Sequence, residues 1–267
     1  MIRPAAVAGR FYPSDPLRLE KQIDALTLPA PKRTSALGCV VPHAGYVYSG
    51  HVAGAVYGSL NLPSRFILLG PRHYPQGERL AMLSEGAWET PLGEARMDGV
   101  LAAELKNAFP LLREDAVAHA PEHSLEVQLP FLLRLAGNFT LAPVLIGTDR
   151  FESLAMLGHA IATVVRTQHD PVMIVASSDM NHRESDAITR VKDRKAIDAI
   201  LALDARRLYD TIRRDNISMC GYGPTVAMLT ATCDLGATKA NLVRYATSAD
   251  VTRDFDDVVG YAGITVQ

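Results

Sequence analysis

Residues 37–50 read LGCVVPHAGYVYSG: an apolar run, a proline, one histidine and then small residues interspersed with aromatic ones. The run from Leu37 to Val41 predicts a β-strand, and Pro42 marks its end. His43 is therefore expected where the strand stops and the backbone turns. Histidines in such positions are often plain polar loop residues, so this stretch alone does not predict a site.

The same arrangement occurs twice more. Residues 66–73 read FILLGPRH and residues 172–179 read VMIVASSD, so an apolar strand is again followed by a potential ligand, His73 or Asp179. Open α/β sheets bind ligands outside the carboxyl ends of their strands. We therefore expect His43, His73 and Asp179 to converge if their strands are neighbours. Imidazole and carboxylate groups together suit a divalent metal such as Fe²⁺ or Zn²⁺.

The rest of the chain alternates between strand and helix patterns, and 48% of its 267 residues are hydrophobic. Strands are predicted at residues 37–41, 65–70, 79–84, 141–146, 171–177, 241–247 and 258–266. Helices are predicted at residues 16–26, 49–60, 98–109, 124–135, 151–166 and 226–233, and as a pair within 185–214 that meets near Asp204. The helix at 124–135 is expected to bend or restart at Pro130. Loops are predicted at residues 27–35 and 88–93. This order predicts an α/β fold, a three-layer αβα sandwich with a mostly parallel or mixed central sheet, in a single domain over residues 1–267.

Charge and cysteine content exclude several classes of protein. The 27 basic and 29 acidic residues give a net charge of -2, so we expect neither nucleic-acid binding nor attachment to an anionic membrane. Three cysteines without a C-x-x-C pair argue against a disulfide scaffold. The first residues lack a signal-peptide pattern, and no apolar run approaches the roughly 20 residues of a membrane span. We expect a soluble, cytoplasmic protein.

Three further positions are candidates for chemistry. His182 follows Asp179 by three residues and could act as an acid or base, although Ser178 or Asp179 could instead cap a helix starting there. Cys220 precedes a predicted helix in a glycine-rich setting, which favours a thiolate that binds metal or attacks a substrate. Cys39 and Cys233 are predicted core residues. His123 and Glu126, three residues apart, could orient a metal ligand or shuttle protons, unless they form a surface pair.

A set of short motifs in a fixed order resembles the Memo family, known in bacteria and archaea as AmmeMemoRadiSam system protein B. The motifs are AGRFYP (8–13), PHAGY (42–46), GPRH (70–73), EHSLE (122–126), SSD (177–179) and CG (220–221). Memo proteins are similar in fold to class III extradiol dioxygenases, which hold non-haem iron. The resemblance implies that His43, His73 and Cys220 are metal ligands, and that Asp179, His182 and His123 surround the same pocket. The family name also implies a functional link to a radical-SAM protein and an AMMECR-type protein.

The chain departs from the dioxygenase pattern at the third ligand. Those enzymes bind Fe²⁺ with two histidines and a glutamate, whereas here the third ligand would be Cys220, whose thiolate is softer and easier to oxidise. Ring cleavage of a catechol therefore does not carry over. The leading hypothesis is a mononuclear metal site, most readily Fe(II) with Cu or Zn as alternatives, and redox or dioxygenase-like activity on an unknown small molecule. His182 or His123 would be its acid–base partner, and Asp179 would assist orientation.

Two other hypotheses about the function stay open. The protein could be a non-catalytic regulatory or binding protein that retains the metal pocket. It could instead be a metal-free cysteine hydrolase, with Cys220 as nucleophile and His182 or His43 as base. The hydrolase reading gives no reason for a second histidine at a strand end. No G-x-G-x-x-G, G-x-x-x-x-G-K-[ST], G-x-S-x-G or H-E-x-x-H motif occurs, so dinucleotide, P-loop, α/β-hydrolase and zincin readings lack their usual support.

Overall fold

The computed structural model describes residues 1–27 and 32–267. Its strands are β1 (Ile2–Arg3), β2 (Gly38–Val41), β3 (Arg65–Pro71), β4 (Leu80–Met82), β5 (Ala87–Thr90), β6 (Gly93–Met97), β7 (Arg113–Glu114), β8 (Thr140–Ile146), β9 (Val172–Ser177), β10 (His182–Glu184), β11 (Ala240–Thr247) and β12 (Val258–Val266). Its helices are α1 (Pro16–Leu26), α2 (Tyr46–Gly58), α3 (Gly99–Ala108), α4 (Ala116–His119), α5 (Leu129–Leu135), α6 (Phe151–Arg166), α7 (Asp186–Leu201), α8 (Ala205–Arg214), α9 (Tyr222–Asp234) and α10 (Ala249–Thr252). A 3₁₀ turn, Glu126–Gln128, precedes α5.

One mixed sheet runs through the molecule in the order β1-β5-β6-β8-β3-β9-β2-β12-β10, and β11 also pairs with β12. From β6 through β8, β3 and β9 to β2, each strand runs parallel to the next. Strand β12 runs antiparallel to β2. Strand β9 therefore lies between β3 and β2. The carboxyl ends of these three strands reach the same edge of the sheet, which is where the candidate residues follow.

Helices cover both faces of this sheet, as the continuous apolar strands require. On one face, Val40, Ile67 and Ile174 pack with residues of α3, α6 and α9. On the other face, Val41, Phe66 and Val175 pack with residues of α1, α2 and α5. The predicted three-layer α/β architecture is confirmed. Within residues 1–27 and 32–267, none of the helices is long and apolar enough to cross a membrane.

Two predicted helix starts are confirmed, and each has a capping side chain. Helix α1 begins at Pro16, and the Asp15 carboxylate accepts a hydrogen bond from the Arg18 amide. Helices α7 and α8 meet at Asp204, whose carboxylate accepts from the Arg207 amide. The predicted loop at residues 27–35 lies partly outside the described residues.

Other predictions were wrong or misplaced. Residues 88–93 are not a loop. They contain the end of β5, the turn and the first residue of β6. The two strands pair as a hairpin, and the Thr90 hydroxyl donates a hydrogen bond to the Gly93 carbonyl across the turn. Helix α2 begins at Tyr46 rather than at residue 49. The segment 124–135 is interrupted near Pro130 as predicted, but its first part is a 3₁₀ turn and only α5 is an α-helix. Cys39 is buried as predicted, but Cys233 is exposed. In each case the secondary structure or the burial of the residue depends on contacts with the rest of the fold, which a short sequence pattern does not contain.

A buried carboxylate, Asp193 of α7, lies under β12. Its Oδ1 accepts from the Asn181 amide at 2.8 Å and its Oδ2 accepts from the Tyr245 hydroxyl at 2.7 Å. A Cβ atom at Gly260 would lie 1.8 Å from Oδ2, so only glycine leaves room for the carboxylate. Burial raises the pKa of Asp193 to about 7, although the two hydrogen bonds oppose the shift.

This raised pKa makes the stability of the protein depend on pH near neutrality. Since the native state holds the Asp193 proton more tightly than the unfolded state, stability should fall as the pH rises from about 4 to about 7. Asp193→Asn should therefore be more stable than the wild type at pH 8, by up to about 4 kcal/mol, and show no gain at pH 4. Urea unfolding at the two pH values measures this. A matched control is Asp198→Asn on the same helix, and an equal effect of Asp193→Asn at both pH values would contradict the prediction.

Candidate metal centre

Three imidazoles meet at the shared edge of β3, β9 and β2. His43 follows β2, His73 follows β3, and His123 comes from the segment before the 3₁₀ turn. One ligand nitrogen of each lies within 4.8 Å of the others. The His43 and His73 ring centroids are 5.2 Å apart, and the His73 and His123 rings stack at 4.6 Å. The structure thus brings the two strand-end histidines together and adds His123, which sequence reasoning had assigned to proton transfer.

A chain of hydrogen bonds fixes which nitrogen of His43 faces the cluster. Its Nδ1 lies 2.9 Å from the Ser177 hydroxyl, which donates its own proton to the Ser124 carbonyl at 2.6 Å. Gln128 Nε2 donates to the same hydroxyl, and Gln128 Oε1 accepts from Tyr57. Because the single Ser177 proton is already used, His43 Nδ1 must be the donor. Its Nε2 therefore carries a lone pair.

The charge state of His43 agrees with this tautomer. The ring is 2% exposed. Burial, together with the nearby His73 and His123, lowers its pKa well below the ordinary value. A neutral imidazole with Nδ1 protonated can bind a metal through Nε2.

Glu122 orients the His73 ring, as Ser177 orients the His43 ring. Its Oε1 is 2.8 Å from His73 Nδ1, and its Oε2 accepts from the His73 amide at 2.6 Å. Burial alone would raise the pKa of Glu122, but the hydrogen bonds and charge of His73 outweigh burial and lower it to about 2. An ionised carboxylate only accepts, so His73 Nδ1 is also a donor, and in the neutral ring Nε2 carries the lone pair.

His123 lies between this carboxylate and an aromatic ring. Its Nδ1 is buried and 3.5 Å from Glu122 Oε1, beyond a good hydrogen bond. The Phe11 ring packs against it, with centroids 4.8 Å apart. Burial lowers the pKa of His123, which therefore stays neutral near physiological pH.

Cys220, in the loop before α9, lies beside His43 and is not among the three residues whose ligand atoms lie within 4.8 Å of one another. Its Sγ is 3.2 Å from His43 Nε2, and the Asp179 amide donates to the sulfur at 3.3 Å. A Cβ atom on Gly221 would lie 2.3 Å from the Ser177 carbonyl oxygen, so glycine is needed for the loop to approach β9 so closely. Burial and then the Asp179 carboxylate raise the pKa of the Cys220 thiol. The expectation that a helix start favours the thiolate was therefore wrong for the metal-free protein.

Asp179 stabilises the turn that carries His43. Its Oδ1 accepts from the amides of His43 and Ala44, at 2.8 and 3.2 Å, and its Oδ2 is 4.0 Å from His43 Nε2. Burial raises the pKa of Asp179, and the two amides oppose that shift. No helix begins here among the described residues, because His182 starts β10. Asp179 therefore does not cap a helix of its own.

His182 is oriented in the same way as His43. Its Nδ1 is 2.9 Å from the Ser218 carbonyl oxygen, an acceptor, so Nδ1 carries a proton, and in the neutral ring Nε2 carries the lone pair. The ring is partly exposed. An accessible imidazole with a free Nε2 can accept a proton from a bound molecule.

Glu126 does not act with His123 as the sequence suggested. It is fully buried, and its carboxylate accepts from the Ala6 and Val7 amides, the Tyr12 hydroxyl and Arg3 Nη1, all within 3.0 Å. Glu126 thus anchors the N-terminal segment, residues 3–12, which carries Phe11 to the site.

Sequence reasoning did not identify the residues that orient the ligands. Glu122 and Ser177 each lie beside a predicted site residue in sequence, and their motifs were noted without a role. Gln128 gave no signal beyond a polar residue in an apolar segment. Only the three-dimensional contacts show that these side chains set the imidazole tautomers.

The N-terminal segment provides a stability test. Glu126→Ala should leave Arg3 buried without its partner and remove three further hydrogen bonds, which corresponds to a loss of about 3–5 kcal/mol in unfolding free energy. Limited proteolysis should then cut within residues 3–12 before the rest of the chain. Glu114→Ala, which breaks a surface pair with Lys106, is the control. Equal losses in both variants would contradict the anchoring role.

The cysteines provide a test of reactivity. In metal-free protein at pH 8, iodoacetamide should modify exposed Cys233 first and Cys220 slowly, because the raised pKa keeps the Cys220 thiol protonated. Fully buried Cys39 should react only after unfolding. Peptide mass spectrometry over time measures the order. Modification of Cys220 ahead of Cys233 would show that its thiolate is already favoured.

Comparison with known proteins shows which family the chain belongs to. The family model described as "Memo-like protein" matches residues 3–265. A MEMO1 family protein of Methanothermobacter thermautotrophicus is 39% identical, covering 99% of this chain and 100% of its own length. Another, of Methanosarcina barkeri, is 41% identical and covers 100% of both chains. The crystal structure of an uncharacterized protein of Escherichia coli K12 superposes with a TM-score of 0.59 at 11% identity, over 85% of this chain and 98% of that one, and shows a shared fold. The chain belongs to the Memo family.

Proposed function

We propose that the protein binds one divalent metal ion, iron in the first place, through His43, His73 and Cys220. The observation that carries the proposal is the pair of fixed tautomers. In His43 and in His73, Nδ1 donates a hydrogen bond to a protein acceptor. In the neutral rings, Nε2 therefore carries the lone pair that can bind a metal. Two such imidazoles beside a thiol form a donor set that suits Fe, Zn or Cu.

One spacing within the proposed donor set, between Cys220 and His43, matches that of two ligands on a shared ion, while Cys220 lies outside the group of three histidines whose ligand atoms are within 4.8 Å of one another. Ligand atoms bound to one metal at about 2.1 Å for nitrogen and 2.3 Å for sulfur lie roughly 3–4 Å apart. The Cys220 Sγ to His43 Nε2 distance is 3.2 Å. The thiol has a raised pKa without metal, and a bound cation would favour its thiolate form.

His123 is the alternative third ligand. It lies in the same group as His43 and His73, whose ligand atoms are within 4.8 Å of one another. We prefer Cys220 because its sulfur directly contacts His43 and accepts the Asp179 amide proton, as a metal thiolate would. His123 is then available for proton transfer.

A bound iron ion would supply redox chemistry and Lewis acidity at its open coordination positions. The chain itself supplies proton transfer and orientation. His182, with Nε2 free and its ring partly exposed, is the proposed base for a small-molecule substrate, and His123 is its proposed partner. Asp179 holds the His43 turn by two amide hydrogen bonds. The functional link to a radical-SAM protein and an AMMECR-type protein stays a proposal that the family resemblance suggests.

A regulatory protein that binds the metal without turnover would use the same ligands. Oxygen consumption separates the two functions: sustained, metal-dependent uptake with catechols or other reductants requires the enzyme. The 3.2 Å contact between Cys220 and His43 also resembles a cysteine–histidine catalytic pair. The raised pKa of Cys220 argues against that hydrolase, since the thiol rather than the thiolate predominates.

Metal analysis of protein purified anaerobically, without added metal or affinity tag, tests the proposal. His43→Ala and Cys220→Ser should bind iron at least about tenfold more weakly, because each removes a ligand. His182→Ala should retain the metal and serves as the control. His123→Ala separates the two ligand sets, since it should retain iron if Cys220 is the third ligand. Wild-type metal content in both His43→Ala and Cys220→Ser would refute the site.

A further inference from the structure

Asn181 lies between two candidate functional residues, Asp179 and His182, and is completely buried. Its backbone amide donates to Asp193 Oδ1 at 2.8 Å, and its carbonyl accepts from the Gly260 amide at 2.9 Å. These two contacts hold the segment that follows β9 against α7 and β12.

The side chain of Asn181 faces the loop that carries Cys220. Its Oδ1 accepts from the Ser218 amide at 3.0 Å and lies 3.1 Å from the Ser218 hydroxyl, which is also 3.1 Å from the His182 carbonyl oxygen. Its Nδ2 donates to Glu184 Oε2 at 2.7 Å and to the Thr189 hydroxyl at 3.3 Å. A backbone amide can only donate and a carboxylate can only accept, so these partners fix the orientation of the amide group.

Ser218 in turn holds His182. Its carbonyl accepts from His182 Nδ1 at 2.9 Å, and its hydroxyl accepts from the His182 amide at 2.8 Å. Cys220 follows Ser218 by two residues. The Asn181 side chain therefore connects, through its hydrogen bonds to Ser218, the loop that carries Cys220 and the segment that carries Asp179 and His182.

We propose that Asn181 is a positioning residue that sets the placement of Cys220 relative to His182 and Asp179. It touches neither the proposed ligands nor the proposed base with its side chain and acts on them through Ser218. The proposal rests on the proposed function only where a metal is used as a probe. The placement of the Cys220 thiol can be measured without metal.

The chemistry of the amide explains why an aspartate alone cannot replace Asn181. Asn181→Asp keeps the acceptor for Ser218 but places a second carboxylate oxygen against Glu184 Oε2, which is 2.7 Å from Nδ2. Two like charges at that distance repel each other. The exchange Asn181→Asp with Glu184→Gln restores the pairing, because the new amide can donate to the new carboxylate and the net charge is unchanged.

The test compares Asn181→Asp, the Asn181→Asp/Glu184→Gln double variant and Thr189→Val, all in a Cys233→Ser background. Iodoacetamide alkylation of Cys220 in metal-free protein should accelerate by roughly tenfold in Asn181→Asp, the size expected when a hydrogen bond to a charged group is lost. The double variant should return to within about twofold of the wild-type rate. Thr189→Val removes the weaker contact of Nδ2 and the 3.4 Å hydrogen bond from the Thr189 hydroxyl to the Glu184 carbonyl, and Cys220 should be alkylated at the wild-type rate in this variant.

A second measurement uses cobalt(II) as the probe. The cobalt–thiolate absorption band should weaken in Asn181→Asp and recover in the double variant. Unchanged alkylation in Asn181→Asp, or no recovery in a folded double variant, would overturn the positioning role. If the wild type gives no cobalt–thiolate band, the metal proposal fails, while the alkylation rates still decide the role of Asn181.

Discussion

The hydrogen bond between His43 Nδ1 and the Ser177 hydroxyl determines what the site can do. Ser177 has one proton, and the Ser124 carbonyl takes it, so the imidazole has to donate and its Nε2 has to face inward as a lone pair. Glu122 imposes the same tautomer on His73. The donor atoms of the cluster are therefore set by neighbours that do not reach into it. Parallel strands make this possible, because β9 lies between β2 and β3 and delivers Ser177 between the two histidines.

The charges around these donors favour a cation over a nucleophile. Burial lowers the pKa of His43 and His123, so neither ring provides the positive charge that activates a catalytic cysteine. Burial also raises the pKa of Asp179 and of Cys220, which leaves potential anions protonated more readily than usual. A divalent ion would reverse this balance, since it stabilises the thiolate and the carboxylate that burial disfavours.

The sequence predicted the parts of the site that lie at strand ends and missed those that depend on neighbours in space. His43 and His73 could be found because an apolar run followed by a proline or glycine and a histidine is a local pattern. Glu122 and Asn181 could not, because a carboxylate or an amide in a loop gains its role only from a partner that the fold brings near. His73 is 49 residues from Glu122 and Ser218 is 37 residues from Asn181. The β5–β6 hairpin was missed for a similar reason, as four-residue strands carry little periodicity of their own.

Whether His123 binds the metal would distinguish an enzyme from a regulatory metal protein. Three protein ligands leave open positions at which a substrate can bind, whereas four close a tetrahedral site, as in structural zinc centres. With His43, His73 and Cys220 bound, His123 would be the fourth. Its Nδ1 lacks a good hydrogen bond to Glu122, and its ring is held mainly by packing on Phe11 and His73. It is thus less constrained than His43 or His73. Ligation by His123, more than the presence of Cys220, would therefore separate a regulatory metal protein from an enzyme.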